Sequence, residues 1–307
     1  MRADGIRALG EPVEIFEVDE PASPAADEVL IDVAAAGIGN WDELVRIGSW
    51  QVGGPAPMAL GTSAAGTVAA VGSGVAGVSQ GDEVMTHPLP LRRHGTWAAR
   101  LLAPAASVAP RPAEASWEAC GAFPIPALTA AQALDEALGI ERGDWVVVNG
   151  AGGVTGGLLV QLASLRGARV IATASPKKAE RIRGYGAAEV LDYHDDWPAL
   201  VHEITGGGAP RAVNAAPGQA ATALSAVADD GRLVTITGDP PPEERGVAVS
   251  DLYVRPDGRQ LAALAEPLAR GALNVPIASV RPLEQAAQAL REVVAGADGA
   301  IVLSLPT

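Results

Sequence analysis

The run Gly150-Ala151-Gly152-Gly153-Val154-Thr155-Gly156 follows directly on an apolar stretch ending at Val148. Glycines at 150, 153 and 156 permit a tight turn and a close backbone approach. A helix opening there presents unpaired N–H groups and the positive end of its dipole, which together suit a pyrophosphate. Glycines alone are equally compatible with a structural strand-to-helix turn. The strand before them and a second strand at the right distance beyond favour a dinucleotide. That second strand ends in Thr173-Ala174-Ser175-Pro176-Lys177-Lys178, with no carboxylate before Glu180. A site for NAD usually carries Asp or Glu here to hold the ribose hydroxyls. A hydroxyl and two lysines instead suit a 2′-phosphate, and cations at a helix start oppose the dipole, so they call for another reason than local stability. The expected cofactor is NADPH.

Positioning such a turn takes a particular set of elements. Residues 145–148 are a continuous apolar run, as in a strand buried on both faces of a parallel sheet. Leu158, Leu159, Leu162 and Leu165 fall on one helical face, with Gly167 as a stop. Strands are expected at 169–173, 190–193, 212–214 and 233–236, and a second helix at 177–183. Asn214, at the end of the fourth strand, is counted with the cofactor-facing residues. The alternation predicts a doubly wound parallel sheet. Ahead of it, short apolar runs at 29–33 and 67–71 punctuated by Gly and Pro predict a β-rich region. After Pro240-Pro241-Pro242 the alternation breaks, and 240–245 is the expected crossover between domains. Helices near 261–271 and 283–294 and a strand at 301–303 follow. The expected division is residues 1–115, 116–245 and 246–307.

The 307 residues hold 22 Lys and Arg against 36 Asp and Glu, a formal net charge of −14. So acidic a surface repels phosphate backbones, and no nucleic-acid partner is expected. The single cysteine, Cys120, excludes an intrachain disulfide and a Cys-cluster zinc site. It reads as a small buried side chain. No uncharged apolar run reaches the ~18 residues that span a bilayer, and residues 1–10 hold no apolar signal segment. The expectation is a cytoplasmic protein without a membrane partner.

Several motifs in order resemble the zinc-free quinone oxidoreductase branch of the medium-chain dehydrogenase/reductase superfamily, over nearly the whole chain. Residues 28–33 with Gly37 look like its opening strand. Leu60-Gly61-Thr62-Ser63-Ala64-Ala65-Gly66-Thr67-Val68, then Gly81-Asp82-Glu83-Val84, resemble its N-terminal signature. Gly95-Thr96-Trp97-Ala98, Leu128-Thr129-Ala130 and the 186–193 run are similar to later motifs. The resemblance implies a GroES-like β-rich catalytic domain, a Rossmann domain, and a C-terminal segment returning to the first, with the active site in the cleft between them and a homodimer as the assembly. It also implies that Ser175, Lys178 and Tyr193 hold the 2′-phosphate and that Thr129 lies near the nicotinamide ribose. From the residues alone, Thr129 reads as a helix cap and Tyr193 equally as strand-end packing.

Zinc-dependent relatives carry Cys after the opening strand and Gly-His-Glu where this chain has Gly61-Thr62-Ser63. No catalytic zinc set survives, so no metal is expected. Gly39 and Leu44 stand where quinone and enoyl reductases often have Asn and Tyr; Asn40, adjacent to Gly39, is the candidate catalytic residue. Asp42 is expected to brace a short helix. His87 and His94, flanking the 89–93 loop, are read as solvated. The expected activity is hydride transfer to a quinone or an α,β-unsaturated carbonyl, which accept it without a metal. The alternatives are an enoyl-thioester reductase, with Arg46, Arg92 and Arg93 as candidates for the carrier phosphates, and a non-catalytic NADPH-binding protein.

Overall fold

A computed structural model describes residues 1–305. Its contacts divide the chain into two compact units, Met1–Ile125 with Arg255 onward, and Pro126–Val254.

The first unit is a β structure. In chain order it has β1 (Arg2–Ile6), β2 (Glu14–Glu17), β3 (Glu28–Ile38), α1 (Asn40–Arg46), β4 (Met58–Ala59), β5 (Ala64–Val71), β6 (Glu83–Thr86), β7 (Arg100–Pro104), β8 (Val108–Pro110) and α2 (Trp117–Ala122). The expected strands at 29–33 and 67–71 are β3 and β5, each longer than the apolar run that marked it. They pair antiparallel from Val29↔Val71 to Ala36↔Ala64. Ile31, Val33, Trp97 and Leu101 are buried in the core beneath this sheet. Trp97 is fully buried, which anchors the Gly95-Thr96-Trp97 segment beside β1 through Asp4 N–H to the Trp97 carbonyl at 2.9 Å.

The second unit begins along α3 (Pro124–Ala131), which runs on into a wider helical turn at Gln132–Leu138. Then follow β9 (Trp145–Asn149), α4 (Val154–Leu165), β10 (Arg169–Ala174), α5 (Ala179–Gly184), β11 (Glu189–Asp192), α6 (Trp197–Thr205), β12 (Ala209–Asn214), α7 (Ala220–Ser225), β13 (Val227–Thr235) and β14 (Ala248–Asp251). All six strands are parallel, in the order β11-β10-β9-β12-β13-β14, a Rossmann-type doubly wound sheet. Val146, Val147 and Val148 are fully buried, as a strand covered on both faces requires. Helix α4 is buried from Gly156 to Ala163 and ends at Gly167, whose φ of +82° closes the last turn.

Two expectations change here. The second helix begins as a 3-10 turn at Pro176–Lys178, because proline fixes φ at its first position, and becomes α5 only at Ala179. The 240–245 segment, expected as a crossover, is a loop inside the second unit. Beyond it β14 pairs with β13 from Arg232↔Ala248 to Thr235↔Asp251. Short and half-buried, β14 lacks the apolar run that marks its neighbours.

The chain returns to the first unit with α8 (Gly258–Ala269), β15 (Ile277–Pro282), α9 (Ala286–Val294) and β16 (Ala300–Ser304). β16 pairs antiparallel with β3, Ile301 opposite Ile38, so it sits inside the first unit's large sheet, between the edge strand β15 and β3.

Candidate functional site

The glycine turn is sewn to the strand beside it. Gly150 sits at φ +85°, which a side chain would disfavour. Its N–H donates to Thr173 Oγ1 at 3.0 Å, and the Ala151 N–H donates to the Thr173 carbonyl at 3.0 Å. Gly156 brings α4 against this turn: a Cβ there would lie 2.2 Å from the Gly150 carbonyl oxygen. No side chain caps the start of α4, whose N-cap is Gly153, so its first N–H groups are left for another acceptor.

Behind the turn, side chains at the C-terminal ends of four adjacent strands form one buried ladder. Thr173 donates to Asn149 Oδ1 at 2.6 Å, and Asn149 Nδ2 donates to Asn214 Oδ1 at 2.9 Å. Asn214 Nδ2 then donates to Thr237 Oγ1 at 3.0 Å and Thr235 Oγ1 at 3.3 Å. Parallel register places Asn214 opposite both Asn149 and Thr235, which makes the ladder possible.

In front of the turn lies a cavity of about 450 Å³, lined by Asn149, Gly150, Gly152, Gly153, Thr173, Ala174, Ser175, Lys178, Tyr193, Trp197, Ala216 and Gln219. Of the sequence candidates, Gly150, Gly152, Gly153, Ser175, Lys178 and Tyr193 line it. Val154 and Thr155 open α4; Ala151 and Gly156 are buried behind the turn. Asn214 is fully buried with its amide committed to the ladder, and Asn149 is the asparagine that faces the cavity. Thr129 is buried inside α3 rather than capping it, and it does not line the cavity. Asn40 belongs to the first unit, where it opens α1 and is exposed.

The cavity's chemistry at the end of β10 is hydroxylic and cationic. Lys178 Nζ donates to the Gly152 carbonyl at 3.0 Å, and Arg181 Nη2 donates to the same oxygen at 3.3 Å. Arg181 escaped the sequence reading; its spacing from Lys178, one helical turn along the same face, was the available signal. Lys177 is exposed and does not line the cavity. Tyr193, which also lines the cavity, stacks on His194 with ring centroids 4.1 Å apart. The Asp192 carboxylate accepts the His194 N–H at 3.1 Å, which holds its pKa below the usual carboxylate range. A nicotinamide dinucleotide fits this set of groups, with the uncapped N–H groups at the start of α4 suited to its pyrophosphate.

In the first unit, Asp42 Oδ2 accepts the Gly39 N–H at 2.8 Å and so braces the start of α1. It is fully buried, and burial pushes its pKa up to about 8. The two loop histidines are not solvated as expected. His87 is fully buried, with Nδ1 2.7 Å from the Thr62 carbonyl, and burial lowers its pKa to about 4. His94 is half-buried and accepts the Ala59 N–H at 3.4 Å. The reason is the 89–93 loop between them: Leu91 is buried and its N–H donates to the Val52 carbonyl at 2.8 Å, which pulls the loop inward. Arg92 pairs with Glu28 at 2.6 Å, Arg93 with Asp19 at 3.0 Å, and Arg46 with Glu43 at 2.7 Å. Cys120 is buried, and its thiol is pushed up to about 11.

Residues 25–113 match the alcohol dehydrogenase GroES-like domain, and residues 185–303 match the zinc-binding dehydrogenase family. A crystal structure of an NAD-dependent alcohol dehydrogenase superposes with a TM-score of 0.89 at 32% identity, covering 100% of both chains. The chain is a member of the medium-chain dehydrogenase/reductase superfamily. Among curated medium-chain dehydrogenases/reductases, it is 35% identical over 193 residues to a probable quinone oxidoreductase of Leishmania amazonensis, 62% of this chain and 55% of that protein. It is 31% identical over 235 residues to the 2-methylene-furan-3-one reductase of Solanum lycopersicum, 73% of this chain and 59% of that protein. It thus spans little more than half the length of these relatives. Although one matching family is described as zinc-binding, this dehydrogenase/reductase chain brings together no three His, Cys, Asp or Glu side chains able to hold a metal ion among the described residues. No helix among the described residues is long and apolar enough to cross a membrane.

Proposed function

We propose that this protein binds NADPH in the second unit's cavity and reduces a quinone or an α,β-unsaturated carbonyl without zinc. The observation that carries the reading is the end of β10, where Ser175 and Lys178 line the cavity and no carboxylate does. The names of the Leishmania and tomato relatives, a probable quinone oxidoreductase and a 2-methylene-furan-3-one reductase, support the acceptor class.

When bound, NADPH supplies a hydride from its nicotinamide ring. The chain's own part is binding and polarisation. The start of α4 receives the pyrophosphate, and the Thr173–Asn149–Asn214 ladder holds the turn rigid behind it. Ser175, Lys178 and Tyr193 take the 2′-phosphate. Asn40, exposed at the start of α1, offers an amide donor to the charge that develops on the acceptor's carbonyl oxygen. With His87 held neutral and Cys120 protonated, neither serves as a general acid or nucleophile near neutral pH. A homodimer in the cytoplasm is the proposed setting.

The test is turnover by metal-stripped protein, with NADPH or NADH and a quinone or an enone. NADPH-dependent reduction with no bound metal by elemental analysis supports the reading; stoichiometric zinc, or a preference for NADH, overturns it. An enoyl-thioester substrate is less well matched, because Arg46, Arg92 and Arg93 are each already paired with a carboxylate. Stoichiometric NADPH binding without reduction of any acceptor would leave a non-catalytic binding protein.

A further inference from the structure

The parallel sheet has two halves, with β10 and β11 on one side of β9 and β12, β13 and β14 on the other. A sheet wound in this order seats one mononucleotide on each half, across the C-terminal ends of the strands. Ser175, Lys178 and Tyr193 belong to the β10–β11 half, so the nicotinamide mononucleotide falls to the other. The cavity reaches that half at Ala216 and Gln219, just past the end of β12. A carboxylate braces this wall. Asp239, a short turn past β13, accepts the Gly218 N–H at 2.8 Å. Its other oxygen accepts the Thr235 hydroxyl at 3.0 Å and the Thr237 hydroxyl. Thr237 also accepts from Asn214, so Asp239 ends the ladder that starts behind the glycine turn.

The groups that hold this carboxylate are all neutral donors. Burial opposes its charge, but bonds from Thr237, Thr235 and the Gly218 and Ala220 N–H groups outweigh burial and keep its pKa below the usual carboxylate range. The charge is thus fixed in place by dipoles, and it acts on its surroundings: Asp251, at the end of β14, is raised by burial and by the Asp239 charge. A nicotinamide ring is neutral when reduced and positive when oxidised. A fixed negative charge in the same half of the site therefore stabilises the oxidised form and leaves the reduced form nearly untouched.

Resting on the dinucleotide reading of the cavity, we infer that Asp239 biases bound coenzyme toward its oxidised form, so that reduced coenzyme gives up hydride more readily on this protein than in water. The hydride takes both electrons to the acceptor and leaves a cationic ring; one proton from solvent then completes the reduced acceptor. The charge that appears on the ring is the one Asp239 is placed to meet.

The test compares dissociation constants of NADP⁺, NADPH, NAD⁺ and NADH, by calorimetry, for the full chain and for Asp239→Asn, Asp239→Ser and Glu203→Gln. Glu203 is exposed in the last turn of α6, at the opposite edge of the sheet, so its variant makes the same change in net charge away from the site. Each Asp239 variant is expected to weaken the oxidised coenzymes about threefold to tenfold more than the reduced ones. A tenfold change is about 30 mV in the potential of this two-electron couple. Glu203→Gln is expected to leave the oxidised-to-reduced ratio within about twofold. Equal loss of both forms in the Asp239 variants would make Asp239 a tether for the wall alone and overturn the inference, as would a ratio that moves no further than in Glu203→Gln. The serine variant carries the test if thermal melts show the asparagine variant misfolded. The same measurements judge the NADPH reading separately: tighter binding of NAD⁺ and NADH than of their phosphorylated counterparts defeats that reading and leaves Asp239 to be judged on the oxidised-to-reduced ratio. Binding of none of the four overturns both.

Discussion

The Thr173 hydroxyl donates to Asn149 Oδ1 at 2.6 Å and, on the same oxygen, accepts the Gly150 N–H at 3.0 Å. One side chain thereby ties β10 to the end of β9 and to the first residue of the glycine turn. Thr173→Val keeps the shape and removes both bonds, leaving Asn149 Oδ1 and the Gly150 N–H unpaired in a buried setting. The expected cost is about 1–3 kcal/mol of stability, with weaker NADPH binding. Denaturant unfolding and calorimetry check it; a variant as stable and as tight as the parent would show that the turn holds itself.

Gly152 and Gly156 are expected to respond differently to alanine. At Gly156 the added methyl meets fixed backbone, 2.2 Å from the Gly150 oxygen, so α4 must move off the turn at about 1–3 kcal/mol. At Gly152 it meets only the flexible stem of Lys178, which can swing aside. Gly152→Ala should keep its melting temperature while losing NADPH affinity; Gly156→Ala should lose both. Equal melting temperatures for the two variants would contradict the contact geometry.

A carboxylate at the end of β10 should reverse the cofactor preference. Ser175→Asp places negative charge where the 2′-phosphate is proposed to sit and offers an acceptor to ribose hydroxyls. NADPH is expected to weaken by more than about tenfold while NADH tightens. Ratios of kcat/KM for the two cofactors read this out, and an unchanged ratio places the phosphate elsewhere.

Stability should depend on pH through buried carboxyls of the first unit. Burial raises Asp4 to about 7 and Asp42 to about 8 in the folded chain, from 3.8. Because the folded pKa values lie above the unfolded ones, their stabilising effect is complete below about pH 4 and is lost as pH rises through 7 and 8. His87, lowered to about 4 from 6.5, works the other way: its effect is present above pH 6.5 and lost as pH falls toward 4. Melting temperatures from pH 5 to 9 should therefore fall on the alkaline side, and less so in Asp42→Asn, whose amide oxygen can still accept the Gly39 N–H. Parallel curves for parent and variant would rule Asp42 out as the source.

The glycine turn, its flanking β9 and α4, and the Ser175–Lys178 corner were legible because each is written in consecutive residues: an apolar run, glycines at fixed spacing, an absent acid. Other parts were not. Asn149 and Asn214 each end a strand of the same parallel sheet, and nothing local says which amide faces the cavity; pairing across strands turned Asn214 inward. β14 went unread because an edge strand needs little apolar character. Arg181 looked like any surface arginine until α5 was wound beside the turn.

By itself the sequence determined the alternation of strands and helices, the glycine turn between β9 and α4 and a second-strand end without a carboxylate, since periodicity and residue chemistry act over short stretches. Only the tertiary structure decided that His87 is buried and neutral, that β16 closes the first unit's sheet against β3, and that Lys178 and Arg181 meet on one carbonyl oxygen. Those outcomes depend on which distant segments exclude water together, and burial, not residue type, sets the charge a buried side chain keeps and the partners it finds.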